Sequence, residues 1–297
     1  MSESLTRTRP RKPESASVAV MHVVTTARVS SGFVRVTLRT GETGTTETGT
    51  IETGTDGLGA FAPMGYDQWF RLFLPTPSGR LDLPHGDAEG WYTRWLALDE
   101  SSRCLVRNYT VRDARPLERG WEIDVDFVVH LSAAGTVDGV AAAWALAARP
   151  GDTVGMLDQG IIFAAPESTR EQILVLADET GLPGVEGIAR SIAPGTRVTA
   201  LLEVPHSDDR RELATAADLD VRWIVRDDHA ALPGRAALEE LDAFVAAAGD
   251  SLSERAAYCY VVGEASFVLE ARTRLRVAGV PKDAIDFCAY WRPERRA

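Results

Sequence analysis

Arg107-Asn108-Tyr109-Thr110-Val111-Arg112 (RNYTVR) is the stretch from which the organisation of this 297-residue chain is best worked out. It ends a predicted strand, and strand alternation places Arg107 and Tyr109 on one face and Thr110 on the other unless the strand bends. A guanidinium can grip a pyrophosphate, an aromatic ring can stack on an isoalloxazine, and a hydroxyl can reach a ring nitrogen or oxygen. The stretch alone fits a flavin site and an ordinary exposed edge strand equally well.

Length and composition predict a two-domain globular protein. The chain is long for one core, and 45% hydrophobic with 25% charged residues is ordinary for a globular chain. No apolar run approaches the ~20 residues of a membrane helix, so no membrane contact is predicted. The basic start of the chain is followed by an alternating, strand-like segment rather than a long apolar one. We therefore predict a disordered tail over residues 1–15 and a cytoplasmic protein.

Charge and cysteine usage exclude several functions. A net charge of −11 argues against a nucleic-acid partner. Cys104, Cys259 and Cys288 are far apart and have no metal-ligand spacing, so no metal site, iron–sulfur cluster or disulfide framework is predicted. Cys259 and Cys288 lie in apolar runs and are predicted to be buried.

The first half of the chain predicts an antiparallel β-barrel. Strand patterns cover Phe33–Leu38, Gln68–Leu74, Leu105–Val111 and Trp121–Val129, and one helix is predicted over Val140–Ala148. Residues 41–58 repeat ETGT at a five-residue period, too short for a structural repeat, and are predicted to be a flexible insert. The barrel domain is assigned to residues 16–165.

The second half, residues 166–297, alternates between strand and helix patterns. The predicted strands are Ile173–Ala177, Val198–Glu203, Val221–Arg226, Tyr258–Gly263 and Ile285–Trp291. The predicted helices are Gly184–Ile192, Arg210–Ala217, Arg235–Ala248 and Ala265–Ala278. This alternation is typical of a doubly wound parallel sheet that binds nucleotides beyond the carboxyl ends of its strands. A barrel followed by such a domain indicates a redox enzyme.

Eight short motifs follow one another over roughly residues 17–292. They are DQWFRLFLP (67–75), RNYTVR (107–112), DVDFVVH (124–130), a small-residue helix ending in Trp144-Ala145, RPGD (149–152), ADETGLP (177–183), VVGEAS (261–266) and AYWR (289–292). The ordered set resembles the siderophore-interacting proteins, a branch of the ferredoxin–NADP reductase superfamily. The resemblance implies an FAD-dependent reductase that releases iron from ferric siderophores, with a pyridine nucleotide or another cellular reductant as the donor.

The resemblance also implies a set of FAD contacts. These are Arg107, Asn108, Tyr109, Thr110, His130, Val140 and Ala141. The last two begin a helix whose free amides suit an anion; from the residues alone, His130 is better explained as a satisfied polar residue at a strand end. The chain departs from the family in having Leu131 where Gly is usual, and Val140-Ala141-Ala142 where Pro-Ala-Ser is usual. The missing Ser hydroxyl weakens FAD binding by ~1 kcal/mol if it contacts the ligand.

In the second domain, the resemblance and strand ends together imply nucleotide contacts. The candidates are Asp178, Glu179, Thr180, Glu203, Gly263 and Glu264. There is no GxGxxG. Glu203 lies about 20 residues beyond the first strand–helix turn, where an acid bonds a ribose 2′-hydroxyl, and this slightly favours NADH over NADPH. Arg210 and Arg211 could instead meet a 2′-phosphate, and Glu203 could equally be a solvated strand-end charge.

The substrate contacts implied by family position are Arg71, Tyr290, Trp291 and Arg292. Ferric tris-catecholates are strongly anionic, so a protein of net charge −11 needs local cations to bind them; both arginines are nearly as well explained as surface residues. With no iron–sulfur motif, electrons would pass directly from flavin to substrate, and no side-chain acid or nucleophile is required. A monomer is expected. The alternatives are another NAD(P)H-dependent flavin or quinone oxidoreductase, or a non-catalytic siderophore-binding protein.

Overall fold

The computed structural model describes residues 11–40, 61–131, 135–165, 172–228, 231–249 and 257–293. The chain divides into two compact units. The barrel unit comprises Arg11–Val29 and Phe33–Ile161, and the α/β unit comprises the turn Ser30–Gly32 together with the described residues from Ile162 onward. No helix in these ranges is long and apolar enough to cross a membrane.

The barrel unit is built on a seven-stranded antiparallel sheet. In chain order its elements are β1 (Ala19–Ser30), β2 (Phe33–Thr40), β3 (Trp69–Leu74), α1 (Trp91–Leu96), β4 (Leu105–Thr110), β5 (Asp113–Pro116), β6 (Trp121–Val128), β7 (His130–Leu131), β8 (Val137–Asp138), α2 (Val140–Ala147) and β9 (Thr153–Gly160). The sheet order is β4-β3-β9-β1-β2-β6-β5, and β7 pairs separately with β8. The ends of the sheet are therefore β4, which carries the RNYT sequence, and β5.

Alternating side chains give the barrel unit its core. The strands turn buried apolar residues inward, among them Met21, Val36, Phe70 and Phe127, and α2 covers this core with Ala141 and Ala145. A smaller cluster around Phe73 and Leu157 lies on the other face of the sheet, and Trp91 and Trp95 of α1 pack on it. The sheet thus buries apolar residues on both faces around β3 and β9.

The α/β unit contains the predicted parallel sheet. Its elements are β10 (Ile173–Ala177), α3 (Leu182–Ser191), β11 (Arg197–Val204), β12 (Asp218–Val225), α4 (Arg235–Ala248), β13 (Tyr258–Glu264), α5 (Ala265–Val277) and β14 (Ile285–Trp291). The strand order is β12-β11-β10-β13-β14, with every pair parallel. The central strands β10 and β13 are buried along their whole length, as in sheets covered on both faces. The predicted fold class is confirmed.

One predicted helix is wrong. Residues 210–217 run without helical structure between a 3₁₀ turn, Ser207–Asp209, and β12. Arg211 pairs with the buried Glu186 of α3 at 3.1 Å, and Thr215 Oγ1 donates to the Ala189 carbonyl of the same helix at 2.7 Å. Leu213 is buried between these two anchors. Contacts to α3 therefore override the local helical pattern, because they hold the segment along the helix.

Three smaller expectations have different outcomes. Residues 1–10 of the predicted tail and the whole predicted insert, residues 41–58, lie outside the described residues. Arg11, which belongs to the predicted tail, exchanges two backbone hydrogen bonds with Ile161 (3.1 and 3.0 Å), so the prediction of disorder is wrong at this residue. Cys104 and Cys259 are buried, but Cys288 is only partly buried because β14 is an edge strand of its sheet.

Candidate functional site

Strand β4 presents the RNYT side chains on two faces. In the antiparallel register with β3, Tyr109 lies opposite Phe70 and Thr110 lies opposite Trp69. Paired residues point to the same face, so Tyr109 faces the core and Thr110 the outside of the sheet. Arg107 is exposed on the same face as Tyr109, and among the residues that the structure describes its one hydrogen bond runs to the carbonyl of Val106 at 2.8 Å.

The Tyr109 ring is fixed by the core. It packs against Phe127 with ring centroids 4.3 Å apart, and Phe127 in turn contacts Trp144 of α2. Burial raises the pKa of the Tyr109 phenol, and the positive charge of Arg107 partly opposes this shift. The ring is therefore a neutral, rigid aromatic surface beside a cation, which fits the stacking and charge needs of a flavin with its phosphates.

The start of α2 offers a second group of donors in the barrel unit. His130 pairs with Asp138 across the short β7–β8 ladder, and α2 begins at Val140 shortly after it. The helix has Gly139 before its first residue, no side-chain cap and no acid in its first turn. Uncapped amides at a helix N-terminus favour an anion. Together with Arg107 and Tyr109, these groups fit an FAD, and they lie in the same unit.

In the α/β unit, a hydrogen-bond network crosses the carboxyl edge of the sheet. Asp178, one residue beyond β10, is buried and accepts from Thr180 N at 2.8 Å and Thr180 Oγ1 at 2.5 Å through Oδ1. Its Oδ2 accepts from Glu264 N at 2.7 Å and from Trp291 Nε1 at 3.2 Å. Asp178 thus joins the ends of β10, β13 and β14.

The charge state of Asp178 is set by competing effects. Burial, and then the neighbouring charge of Glu179, raise its pKa to about 7, while the hydrogen bonds from Thr180 and Glu264 act in the opposite direction. Gly263 allows the close approach of the strands: its φ is +142°, and a Cβ there would lie 2.6 Å from Asp178 Oδ2. A larger residue at position 263 would displace the carboxylate.

Glu179 and Glu203 belong to a buried ion network inside the α/β unit. Arg226, just after β12, donates to both Glu179 oxygens at 2.8 and 2.9 Å and contacts Glu203 at 3.4 Å. Glu203 also accepts from Gly234 N at 3.0 Å and Ala237 N at 2.8 Å, which cap α4. All three charged side chains are buried. This geometry argues against the predicted ribose contact of Glu203 and against the preference for NADH that depends on it.

Glu264 is likewise committed to the fold. Its carboxylate caps α5, accepting from Ser266 N at 2.7 Å, Phe267 N at 3.1 Å and the Ser266 hydroxyl. Of the six α/β residues predicted from the sequence, the three glutamates are structural. Asp178, Thr180 and Gly263 remain together at the end of the sheet, next to Trp291.

The predicted substrate residues are divided between the two units. Arg71 on β3 lies over the ring of Trp91, with 4.6 Å between its Cζ and the centroid, and over that of Trp69 at 5.4 Å. In the α/β unit, the Tyr290 hydroxyl is 3.4 Å from that of Tyr260, and Arg292 is exposed just after β14. The described residues contain no group of three or more His, Cys, Asp or Glu side chains that could hold a metal ion.

Comparison with known protein families identifies both units. Residues 22–161 match the model described as the siderophore-interacting FAD-binding domain, and residues 170–294 match the model described as the siderophore-interacting protein. Together the two matches cover most of the chain. The chain belongs to the siderophore-interacting protein family. The family and the FAD-binding domain predicted from the motifs are thereby confirmed.

Curated relatives in this family include two reductases. The ferric vibriobactin reductase ViuB of Vibrio cholerae serotype O1 is 29% identical over 230 residues, covering 75% of this chain and 75% of ViuB. The NADPH-dependent ferric-chelate reductase of Escherichia coli K12 is 25% identical over 274 residues, covering 91% of both chains.

Other similar proteins differ in length or show the fold alone. The mycobactin import ATP-binding/permease protein IrtA of Mycolicibacterium smegmatis is 27% identical over 226 residues, but the match spans only 22% of that protein. The crystal structure of a siderophore utilization protein from T. fusca aligns with a TM-score of 0.67 and 24% identity over 97% of both chains. At this identity the likeness shows the shared fold.

Proposed function

We propose that this member of the siderophore-interacting protein family is an FAD-dependent reductase that passes electrons from NADPH or NADH to a ferric siderophore and releases ferrous iron. The observation that carries the proposal is strand β4, where an uncommitted arginine and a rigid tyrosine lie side by side. The reductases among the curated relatives support the activity.

The barrel unit would hold FAD through its own side chains and amides. Arg107 binds the pyrophosphate, Tyr109 stacks on the ring, and Thr110 with Asn108 positions the ring edge. His130 and the amides at Val140 and Ala141 bind the remaining polar groups. FAD, when bound, supplies the exchange between the two-electron chemistry of a pyridine nucleotide and the one-electron reduction of ferric iron.

The α/β unit would orient the nucleotide through the end of its sheet. Asp178 fixes the Trp291 indole by accepting its N–H, and this ring and Tyr290 are placed to stack on a nicotinamide. Thr180 and Gly263 line the same edge. Because Glu203 is buried in the cap of α4, it does not select NADH, and the NADPH-dependent relative makes NADPH the donor to test first.

The substrate would be an anionic ferric chelate, for which Arg71 in the barrel unit and Arg292 in the α/β unit supply positive charge. A monomer in the cytoplasm is the state in which we expect the protein to act, because pyridine nucleotides are available there. The net charge of −11 makes a nucleic-acid partner unfavourable.

An anaerobic spectrum tests the proposal. The purified protein is mixed with FAD, then with NADPH or NADH, and then with a ferric siderophore. A flavin band that bleaches with a nucleotide and returns with the ferric chelate is the expected result. A band that is restored only by quinones would indicate the alternative oxidoreductase, and failure to take up FAD would favour a binding protein.

A further inference from the structure

One hydrogen bond around Asp178 can reverse its direction. Three of the four donors to this carboxyl group, the backbone amides of Thr180 and Glu264 and the indole of Trp291, can only donate. The fourth is the Thr180 hydroxyl, 2.5 Å from Oδ1, and a hydroxyl both donates and accepts. A proton on Oδ1 can therefore be accommodated without the loss of any of the four contacts.

The protonation state of Asp178 changes what the Thr180 hydroxyl offers to a ligand. When Asp178 is charged, the hydroxyl hydrogen points to Oδ1, and the hydroxyl oxygen presents only its lone pairs to other groups. When Oδ1 carries a proton, it donates to the hydroxyl oxygen, and the hydroxyl hydrogen turns away from Asp178. Thr180 can then donate to an anion such as a phosphate oxygen.

The two residues differ in exposure in the way that this exchange requires. Asp178 is buried, whereas Thr180 is partly exposed in the turn after β10. The backbone of Gly263 lies close against the carboxyl group on the side of β13. Thr180 thus connects a buried carboxyl group to the surface at the carboxyl edge of the sheet, where ligands bind in open α/β sheets.

No cation bonds directly to Asp178 in the described part of the chain. The charged groups on the surrounding elements are Glu179 beside it, Glu203 near the end of β11, Arg226 after β12, Glu264 at the end of β13 and Arg292 after β14. The first turn of α3 has no acid. The three glutamates accept from Arg226 or from amides at helix starts.

Asp178 therefore differs from its acidic neighbours. Burial, and then the charge of Glu179, raise its pKa to about 7. Both of its protonation states are thus populated near neutral pH, and a ligand that favours one of them shifts the balance.

We propose that Asp178 and Thr180 form a proton-linked binding site for the diphosphate of the pyridine nucleotide, in which Asp178 takes up a proton from solvent when Thr180 donates to a phosphate oxygen. This inference rests on the proposed function and adds a proton to its nucleotide-binding step. Uptake of the proton removes the repulsion between a carboxylate and the phosphate, and it makes the hydroxyl hydrogen available. Nucleotide binding therefore strengthens as the pH falls.

Calorimetry of NADP⁺ binding to the FAD-loaded protein tests this link without electron transfer, because NADP⁺ is already oxidised. Binding heats measured at pH 8 in buffers of different ionisation enthalpy give the number of protons taken up. A bond that strengthens binding about tenfold predicts an uptake of about 0.4 proton at this pH. A phosphate monoester has a pKa of about 6, so the 2′-phosphate stays ionised. NAD⁺, which has the same diphosphate, should give the same uptake.

Two substitutions at Thr180 separate the hydroxyl from the shape of the side chain. Thr180→Val removes the hydroxyl, so it should take up no proton and should bind NADP⁺ about tenfold more weakly than the wild type at pH 6.5. At pH 9 the two proteins should bind NADP⁺ nearly equally. Thr180→Ser restores the hydroxyl and should take up the proton as the wild type does.

Thr273→Val is the matched control. The Thr273 hydroxyl donates to the Leu269 carbonyl on α5 at 2.9 Å, so its loss should change neither the NADP⁺ affinity nor the proton uptake. The FAD content and the urea midpoint of each variant show that it is folded.

The outcomes separate this inference from the proposed function. If the wild type reduces ferric chelates but takes up no proton at pH 8, the inference alone is refuted. It is also refuted if Thr180→Val takes up as much proton as the wild type, because the nucleotide charge then acts on Asp178 through space. Thr180-dependent uptake by a protein that reduces no ferric chelate would support the site and refute the reductase. If neither NADP⁺ nor NAD⁺ binds, both are wrong.

Discussion

On β4 of the barrel unit, Arg107 is exposed and, within the described ranges of the chain, donates only to the carbonyl of Val106. At the carboxyl edge of the α/β unit, by contrast, Glu179 and Glu203 are buried, and each of their oxygens accepts a hydrogen bond from another part of the unit. Both regions hold charged residues on or directly beside strands. In one region the charge is available for a ligand, and in the other it stabilises the fold.

This difference shows how to distinguish a binding residue from a structural one. A buried charge that is fully hydrogen-bonded gains little from a ligand, because its desolvation has already been compensated. A cation that has only a neutral partner, such as Arg71 with Asn108, can still gain an anionic ligand. Substitutions in the α/β network should therefore affect stability first, and substitutions on β4 should affect binding first.

Arg226→Met should have the largest effect. Removing this guanidinium leaves the Glu179 carboxylate buried without its two donors and weakens the hold on Glu203. A broken buried ion pair destabilises a protein by about 3–5 kcal/mol. Urea unfolding followed by tryptophan fluorescence measures the change in the free energy of unfolding.

Arg222→Met is the matched control for this substitution. Arg222 is on β12, the strand that Arg226 directly follows, but it is 39% exposed at its side chain and pairs with Glu240 at 2.8 Å near solvent. Its loss should be worth at most about 1 kcal/mol. If Arg226→Met kept its unfolding midpoint and lost NADPH binding instead, the network would be a ligand site and the contrast between the units would disappear.

Arg107→Met should have the next largest effect, and on binding rather than on stability. A charge-assisted contact contributes about 1.5–3 kcal/mol, so the dissociation constant for FAD should rise by about 10- to 100-fold. The unfolding midpoint of the FAD-free protein should stay unchanged, because the guanidinium donates only to its own strand. Fluorescence titration with FAD measures the affinity.

Arg39→Met controls for the loss of one positive charge from the barrel unit. Arg39 is exposed on β2 and pairs with Glu122 at 3.2 Å, so this variant should bind FAD like the wild type. If Arg107→Met and Arg39→Met bind FAD with the same affinity, the guanidinium on β4 does not belong to the flavin site.

The hydrophobic periodicity of the sequence predicted most of the strands and helices of the fold. The strands Ile173–Ala177 and Ile285–Trp291 were predicted with the bounds that the structure has, because a short, mostly apolar segment between turn residues leaves little choice. Residues 210–217 could not be predicted correctly, since their conformation depends on Glu186 and Ala189 of α3. Such partners are distant in sequence, and local patterns do not indicate them.

The candidate site was harder to predict than the fold, again because its side chains contact residues that are distant in sequence. The distance of Glu203 from the first strand suggested a ribose contact, but its carboxylate caps a helix that begins 32 residues later, at Arg235. Arg11 was placed in a tail because nothing near it forms a regular element. Its docking depends on Gly160, and only this glycine at the end of the buried strand β9 could have indicated a close approach there.

The smallest expected effect is the pH dependence of the free energy of unfolding that Asp178 causes. It tests whether this buried carboxyl group is neutral or charged in the α/β unit. Its pKa is raised from 3.8 to about 7 in the folded protein, by burial and by Glu179. A raised pKa means that the folded state binds the proton more tightly than the unfolded state. This contribution to stability is therefore complete below pH 3.8 and is lost as the pH rises through about 7.

The free energy of unfolding should fall with pH between about 5 and 7, with a slope of at most about 1.4 kcal/mol per pH unit from this single group. Asp178→Asn should be less stable overall, because an amide nitrogen cannot accept from Glu264 N or Trp291 Nε1, and it should lack this slope. Urea unfolding at a series of pH values measures both quantities. Acids with a lowered pKa, such as Asp124 beside Arg115, change stability only at lower pH and do not interfere.

If the slope is the same in the wild type and in Asp178→Asn, the four donors around Asp178 outweigh its burial and keep it charged. Asp178 would then be one more buried charge that is compensated by hydrogen bonds within the α/β unit, as Glu179 and Glu203 are, and the contrast with Arg107 would be sharper.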